Sequence, residues 1–371
     1  MYIYLLVVMM VITTPWIMEI IITNKEVSKK ISFKITMILI FLLFALKAPT
    51  VGRDILGYKK VYDYMVNATW TDFDVCWMEW GYEFLMMIFV HIFHFKFQTF
   101  MIAIYAFVFW SYYNFIKKYS NDYTTSMLIY ICFTFSTFDM SAVRNMLAVA
   151  ICLRAYVHLE KFGKKEVLKF IFLVIMAAQI HTAAYVFLLA LPLIKLPINA
   201  KTILLYTMTV AGMFVFRDYL YVIVNTIRDV SMEGIDIGGN TIMYLLFVAF
   251  SVVIISLSNT QNKQYVRKMQ KINFKNKEIV EKLSHEDIIN PLKMVLTGVC
   301  LLIFSSVSVL IRLAQFFQFF IIVLLPNSVA RLNFRTRVIA KLLIYIFLVV
   351  YYWKYALSVN SLDIIPYKFF F

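Results

Sequence analysis

Two polar side chains in apolar surroundings stand out as able to do chemistry. Arg144 lies in FDMSAVRNMLAVAICLRAYVHL, residues 138–159, and His181 lies in AAQIHTAAY. A guanidinium buried at membrane depth is costly unless it faces a protein cavity or water. It stays charged at any relevant pH and grips phosphate oxygens through a fork of donors. An imidazole exchanges protons near neutrality. A third candidate cation is Arg312 in RLAQFF, and Arg53, Asp54, Tyr58, Glu79 and Glu83 lie in or beside an aromatic-rich segment. Arginines suit a diphosphate, and a carboxylate or imidazole suits removal of a proton from an attacking hydroxyl. The pair would support glycosyl transfer from a lipid diphosphate, driven by positioning and by neutralising the leaving group. Such chemistry requires neither metal nor cofactor. The plainer alternative for His181 is a core packing residue, and for the scattered Tyr and Trp an interfacial aromatic belt.

The elements that must position these groups are membrane helices. The chain has 371 residues, of which 62% are hydrophobic and 15% charged, with mean hydropathy +0.79. A soluble domain is typically about half apolar and a quarter charged. Several apolar runs approach the roughly 20 residues that span a bilayer, and strand alternation is absent, which argues against a β-barrel. The expectation is an all-α polytopic membrane protein, one domain over 1–371, with about 11–13 membrane segments. The net charge of +15 reads as Lys and Arg in cytoplasmic loops rather than as nucleic-acid binding. The four cysteines, Cys76, Cys132, Cys152 and Cys300, have no paired spacing and read as structural. The start lacks a basic n-region and cleavage motif, so residues 1–22 read as a retained helix.

Charge counting then sets the topology. Residues 2–22 form the first span, and the lysines of 24–34 mark an inner loop. Residues 35–48 lead to the long outer loop 49–80. Residues 81–93 read as a re-entrant or tilted half-helix, and 97–116 as the crossing that reaches Lys117 and Lys118. Residues 123–138 run outward, 139–142 form the outer turn, and Arg144 lies just inside it. Ala148, Cys152 and Ala155 fall near one face of the following helix, where a neighbour can approach closely. Arg154 should snorkel near the inner end. Residues 167–196 have basic loops on both sides, so they must form a hairpin or broken helix pair with His181 at its outer tip. Residues 202–227 and 241–257 cross, and 259–290 is a basic cytoplasmic loop, either an amphipathic inner-leaflet helix or a solvated linker. Residues 291–310 run out to Arg312, 313–327 return, and 338–356 cross again to an outer tail. His91 and His94 could share a helix face, but no carboxylate or cysteine completes a metal set.

Read in order, VGRDILGYKKVY, EWGYEFL, VRNMLAVAI, KFIFLVIMAAQIHTAAYVFLLAL, RLAQFF and the final IPYKFFF resemble the EpsG family of Wzy-type polysaccharide polymerases. The resemblance runs from about residue 50 to the end. Asn145 stands where the family more usually has Gln. The resemblance implies a GT-C-like bacterial cytoplasmic-membrane enzyme with an outward-facing cavity, joining undecaprenyl-diphosphate-linked oligosaccharide repeats at the outer face. The products would be capsule, exopolysaccharide or O-antigen chains, and a flippase and chain-length regulator of the same pathway would be partners. Family-type positions fall on Gly52, Asp54, Tyr58, Glu79, Gly81, Arg144, His181 and Arg312. The expected assignment has Arg144 and Arg312 on the diphosphate, His181 or else Glu83 as base, and Arg53, Asp54, Tyr58 and Glu79 on substrate. Three alternatives remain on sequence grounds. A flippase would show internal repeats, which are not evident; an acyltransferase would depend on His181 alone; a scaffold would need none of these groups.

Overall fold

A computed structural model describes residues 1–70, 78–133, 135–216, 219, 244–246, 248–256, 286–302 and 311–371. Cys76, Trp77, the outer-loop residues 71–77, the turn 228–240 and most of the basic loop 259–290 lie outside the described residues. The described residues are mostly helical, and the one bridge among them joins Lys47 and Phe369. Its contacts fall into two compact units. The first holds residues 1–118, 123–188 and 344–371; the second holds 119–122 and 189–343.

The first unit begins with α1 (Tyr2–Ile21) and α2 (Lys25–Ala45). The lysines of 24–34 lie within α2 rather than in a loop. Asn24 explains the shift, because its side chain accepts from the backbone N–H of Glu26 and Val27 and starts the helix before the lysines. Next come α3 (Ile55–Met65), α4 (Trp80–Met87) with a π-helical turn over Ile88–Ile92, and α5 (Phe97–Tyr119). α1, α5 and the stretch Arg312–Ala330 of the second unit are each long and apolar enough to cross a membrane. The segment from Trp80 to Ile92 is too short for that, as the half-helix reading requires.

α6 (Tyr123–Cys132), α7 (Phe135–Ser141) and α8 (Val143–Tyr156) follow. The expected turn at 139–142 narrows to a break at Ala142, whose ψ of 62° is not helical. Asp139 belongs to α7, where its carboxylate accepts from the hydroxyls of Tyr112 and Tyr130 at 3.1 and 3.0 Å. All three side chains are buried, so a carboxylate that looked like a turn residue is held inside. On α8, Ala148, Cys152 and Ala155 are buried, and α9 (Lys164–Ile180) packs closely along α8. α9 ends at His181, whose backbone is extended, and a 3₁₀ segment Thr182–Leu189 doubles back so that Phe187 lies 6.0 Å from Phe170. The expected hairpin tip at His181 is therefore present.

These helices give the unit two chemically different ends. α2 and α5 are antiparallel: Phe33 stacks on Tyr113 at one end, and Gln98 donates to the Ala45 carbonyl at the other. The first end carries Lys25, Lys29, Lys30, Lys117 and Lys118, with Lys118 paired to Glu160 at 2.6 Å. The second carries residues 47–54, 79–81, 139–144 and 181–182, together with the tail. There Ala48 and Gly52 donate backbone hydrogen bonds to the Lys368 and Asp363 carbonyls, and Phe370 donates to Leu46. Buried Lys47 donates to the Val51 and Met140 carbonyls at 2.7 and 3.0 Å. Gly52 has φ +105°, and a Cβ there would stand 2.4 Å from the Met140 oxygen. Only glycine fits that approach.

In the second unit, helices span Ala200–Val215, Glu286–Leu301, Ile311–Gln318 and Ile321–Ala330. The helix expected from residue 291 starts earlier, at Glu286, with Pro291 inside it. Residues 313–327 are not one uniform helix: Phe319 and Phe320 interrupt the run. Phe334–Tyr351 forms the last long helix.

Candidate active site

The site is organised by Glu79, the residue that precedes α4. An N-cap side chain normally accepts from the first N–H groups of its own helix, yet Glu79 does not. Both of its oxygens point to other elements. Oε2 forms an ion pair with Nη1 of Arg144, the second residue of α8. Oε1 accepts from His181 Nδ1 at 3.0 Å, from the Thr182 backbone N–H at 3.0 Å and from the Thr182 hydroxyl at 3.3 Å. Glu83 accepts from the Met78 N–H, just before the helix, at 3.3 Å. One carboxylate thus joins α4, α8 and the hairpin tip.

Packing explains why the three elements meet. Gly81 sits against α9, where an added Cβ would come within 2.6 Å of both the Cβ and the carbonyl oxygen of Gln179. Without a side chain at 81, α4 rests directly on the last turn of α9, and Glu79 reaches His181. Arg144 lies in the first turn of α8, where the helix dipole disfavours a cation. The Glu79 carboxylate compensates both that dipole and the guanidinium. The Tyr58 ring covers the other side, 5.7 Å from Arg144 Cζ, and Tyr82 packs on Tyr58 at 5.9 Å.

The electrostatics are one-sided. Burial alone would raise the Glu79 pKa, but the His181 hydrogen bond and the Arg144 charge outweigh it and hold the carboxyl at about 2. An ionised carboxylate only accepts, so Nδ1 of His181 carries a proton. In the neutral ring the basic nitrogen is then Nε2, with the ring orientation fixed by Glu79. A carboxylate setting the tautomer of a histidine is a recurrent way of preparing a base. Arg144, His181 and Glu83 are buried, and Thr182 is exposed just above them. The arrangement can hold a positive charge and a proton acceptor at fixed separation beneath one surface residue.

Of the residues singled out from the sequence, Arg144, His181, Glu79 and Tyr58 gather here. Asp54 precedes α3, and its backbone N–H donates to the Ser141 hydroxyl at 3.1 Å, so the loop that carries it is moored next to the α7–α8 break. Glu83 faces its own helix start. Arg53 does not join the site: it makes an exposed ion pair with Asp363 of the tail at 3.3 Å. Arg312 belongs to the second unit, as the second residue of the Ile311–Gln318 helix. His91 Nε2 donates to the Met65 carbonyl at 3.0 Å, a backbone tie. Sequence reasoning missed Thr182 as a Glu79 partner and Lys47 as the buried post beneath Gly52. Lys47 had a signal: a lone cation closing the apolar run LLFAL.

None of the curated proteins and none of the solved structures matches this chain. A family model does, over residues 30–369, nearly the whole length. The chain belongs to the EpsG family, a Wzy-like polysaccharide polymerase family.

Proposed function

We propose that this protein joins undecaprenyl-diphosphate-linked oligosaccharide repeats into a surface polysaccharide by metal-independent glycosyl transfer at the outer face of a bacterial cytoplasmic membrane. The observation that carries the reading is the double engagement of Glu79, which fixes Arg144 and His181 relative to each other. His181 Nε2 takes the proton of the acceptor hydroxyl. The acceptor oxygen bonds to the anomeric carbon as the bond from that carbon to the diphosphate breaks. The electron pair leaves with the lipid diphosphate, whose charge Arg144 neutralises, aided by the N-terminus of α8. The reading takes the chain as a GT-C-like membrane enzyme with an outward cavity, and keeps Arg312 of the second unit as a substrate-binding candidate. Asp54 and Tyr58 contact the sugars, and Glu79 acts as a positioning residue, since both of its oxygens are committed.

Charge supports this orientation. The site lies at the end of the first unit opposite Lys25, Lys29, Lys30, Lys117 and Lys118, and lysine-rich ends face the cytoplasm. A flippase delivers the repeat to the outer face, and a chain-length regulator acts on the product.

The test is gel analysis of surface glycan and lipid-linked sugars in a deletion strain carrying each variant. Arg144→Ala and His181→Ala should abolish polymer while single repeats persist on the lipid. Normal chains from both variants would rule the assignment out. Repeats trapped on the inner face would favour transport instead. Loss with His181→Ala alone would favour acyl transfer.

A further inference from the structure

A second feature of the same end of the first unit is a groove of about 570 Å³, lined by residues of α3, of the turn before α5, and of the tail. That volume falls within the roughly 300–1,000 Å³ of small-molecule sites. Its cations are Lys59 and Lys96, with the His94 imidazole beside them, against a single carboxylate, Asp63. Lys59 already satisfies Asp63 at 2.5 Å. Lys96 is exposed and makes no ion pair among the described residues. Phe95 and Phe370 are 40% and 43% exposed at the groove, offering flat apolar faces to solvent. Phe95 is held in place because its carbonyl accepts from the Tyr62 hydroxyl at 2.7 Å.

The backbone at His94 would suit glycine better than a side chain. His94 has φ +52°, a left-handed conformation in which glycine is the ordinary residue ending a helix. A non-glycine residue there costs about 1 kcal/mol or more. The turn is closed by Phe95 N–H donating to the Phe89 carbonyl at 2.9 Å.

The groove is separate from the Glu79 site but shares a wall with it. Tyr58 packs on Tyr82, Tyr82 on Phe100 at 5.9 Å, Phe100 on Tyr62 at 5.1 Å and Tyr62 on Phe97 at 5.6 Å. This row of rings runs from Arg144 to the groove floor. Adjacent turns of α3 therefore serve both places: Tyr58 covers Arg144, while Lys59, Tyr62 and Asp63 line the groove.

We propose that this groove is a saccharide-binding subsite that holds the growing polysaccharide away from the bond-forming site, and that it selects sugars bearing a carboxylate or phosphate. Aromatic faces support the sugar rings, and the excess of cations over carboxylates supplies the preference for an anion. The proposal rests on the polymerase reading, and it is tested so that the two can fail separately.

The probes are fragments of the host's own polysaccharide, one to four repeats long, titrated against the full-length protein in nanodiscs of zwitterionic lipid only. Wild type should bind them, and Lys96→Glu should bind about tenfold more weakly, the loss expected when one charge-assisted hydrogen bond goes. In cells, Lys96→Glu should yield shorter chains while repeat joining continues. Phe95→Ala should shorten chains too, at unchanged protein level. Equal binding and equal chain length in Lys96→Glu would overturn the proposal, as would a polysaccharide free of acidic groups. If Lys96 becomes shielded from acetylation only when anionic lipid is added, and not by the fragments, the groove is a lipid headgroup site and the proposal falls. If Arg144→Ala still makes polymer while fragment binding depends on Lys96, the catalytic reading fails and the subsite stands.

Discussion

Two arginines at the same end of the first unit both pair with a carboxylate, and they teach opposite lessons. Arg144 and Glu79 have side chains 7% and 14% exposed; Arg53 and Asp363 are 61% and 60% exposed. In water an ion pair gains little, because solvent already satisfies both charges and salt screens them. In the interior the partners have given up that solvent, so each becomes indispensable to the other. Glu79 also holds His181 and Thr182, whereas Asp363 accepts a single side-chain hydrogen bond, the one from Arg53. The buried pair is a structural commitment on which chemistry can be built. The exposed pair is one thread among several that attach the tail.

The sharpest way to break the comparison is to remove Glu79. Glu79→Ala leaves the Arg144 guanidinium buried and uncompensated, which costs about 3–5 kcal/mol. Thermal unfolding in detergent should show the largest drop of any single substitution at this end, and polymer should disappear. Combining Glu79→Gln with Arg144→Met removes both charges and should recover most of the stability with none of the activity. If the double variant is no more stable than Glu79→Ala, the burial argument is wrong.

A smaller effect should come from Gly81→Ala. The new methyl group meets α9 backbone at 2.6 Å, so α4 must move, at about 1–3 kcal/mol for overpacking. The displacement stretches the 3.0 Å contact between Glu79 and His181. Activity should therefore fall further than stability. Near-normal polymer from a folded Gly81→Ala protein would show that the Glu79–His181 contact does not govern the reaction.

Much of this arrangement was legible in the sequence, and the part that was not has a physical reason. Lysines on both sides of residues 167–196, with polar QIHT between them, forced His181 to a tip. The same counting put Arg144 at that end, and the structure bears this out within the first unit. The partner that joins them was not legible as such: Glu79 lies 65 residues from Arg144 and 102 from His181, and nothing local to EWGYEFL says where its oxygens point. That direction is set by the close rest of Gly81 on Gln179, a tertiary contact. A helix starts earlier than its charge run suggests where a cap outweighs the charges, as at Asn24, while the turn expected at 139–142 is present as a break at Ala142. Arg53 and Asp54 are neighbours in sequence, yet only Asp54 is moored beside the α7–α8 break. Asp54 is half-buried with its N–H on Ser141, whereas Arg53 stays exposed although it pairs with the tail.

The smallest effect is the one that sharpens the contrast most. Asp363→Ala should cost under about 1 kcal/mol, as exposed pairs do, since the tail keeps its backbone bonds from Gly52, Arg53 and Ala48. Melting temperature should barely move, and the small shift that exists should vanish in high salt. Arg53→Ala removes the same pair and should cost the same, so any difference between the two variants reports something other than the pair. If Arg53→Ala lowers polymer yield while Asp363→Ala does not, the guanidinium also meets substrate, and its exposure is what allows it to leave Asp363. If both are silent in yield, Arg53 serves only to fasten the tail, and the binding role expected of it belongs to the buried arginine alone.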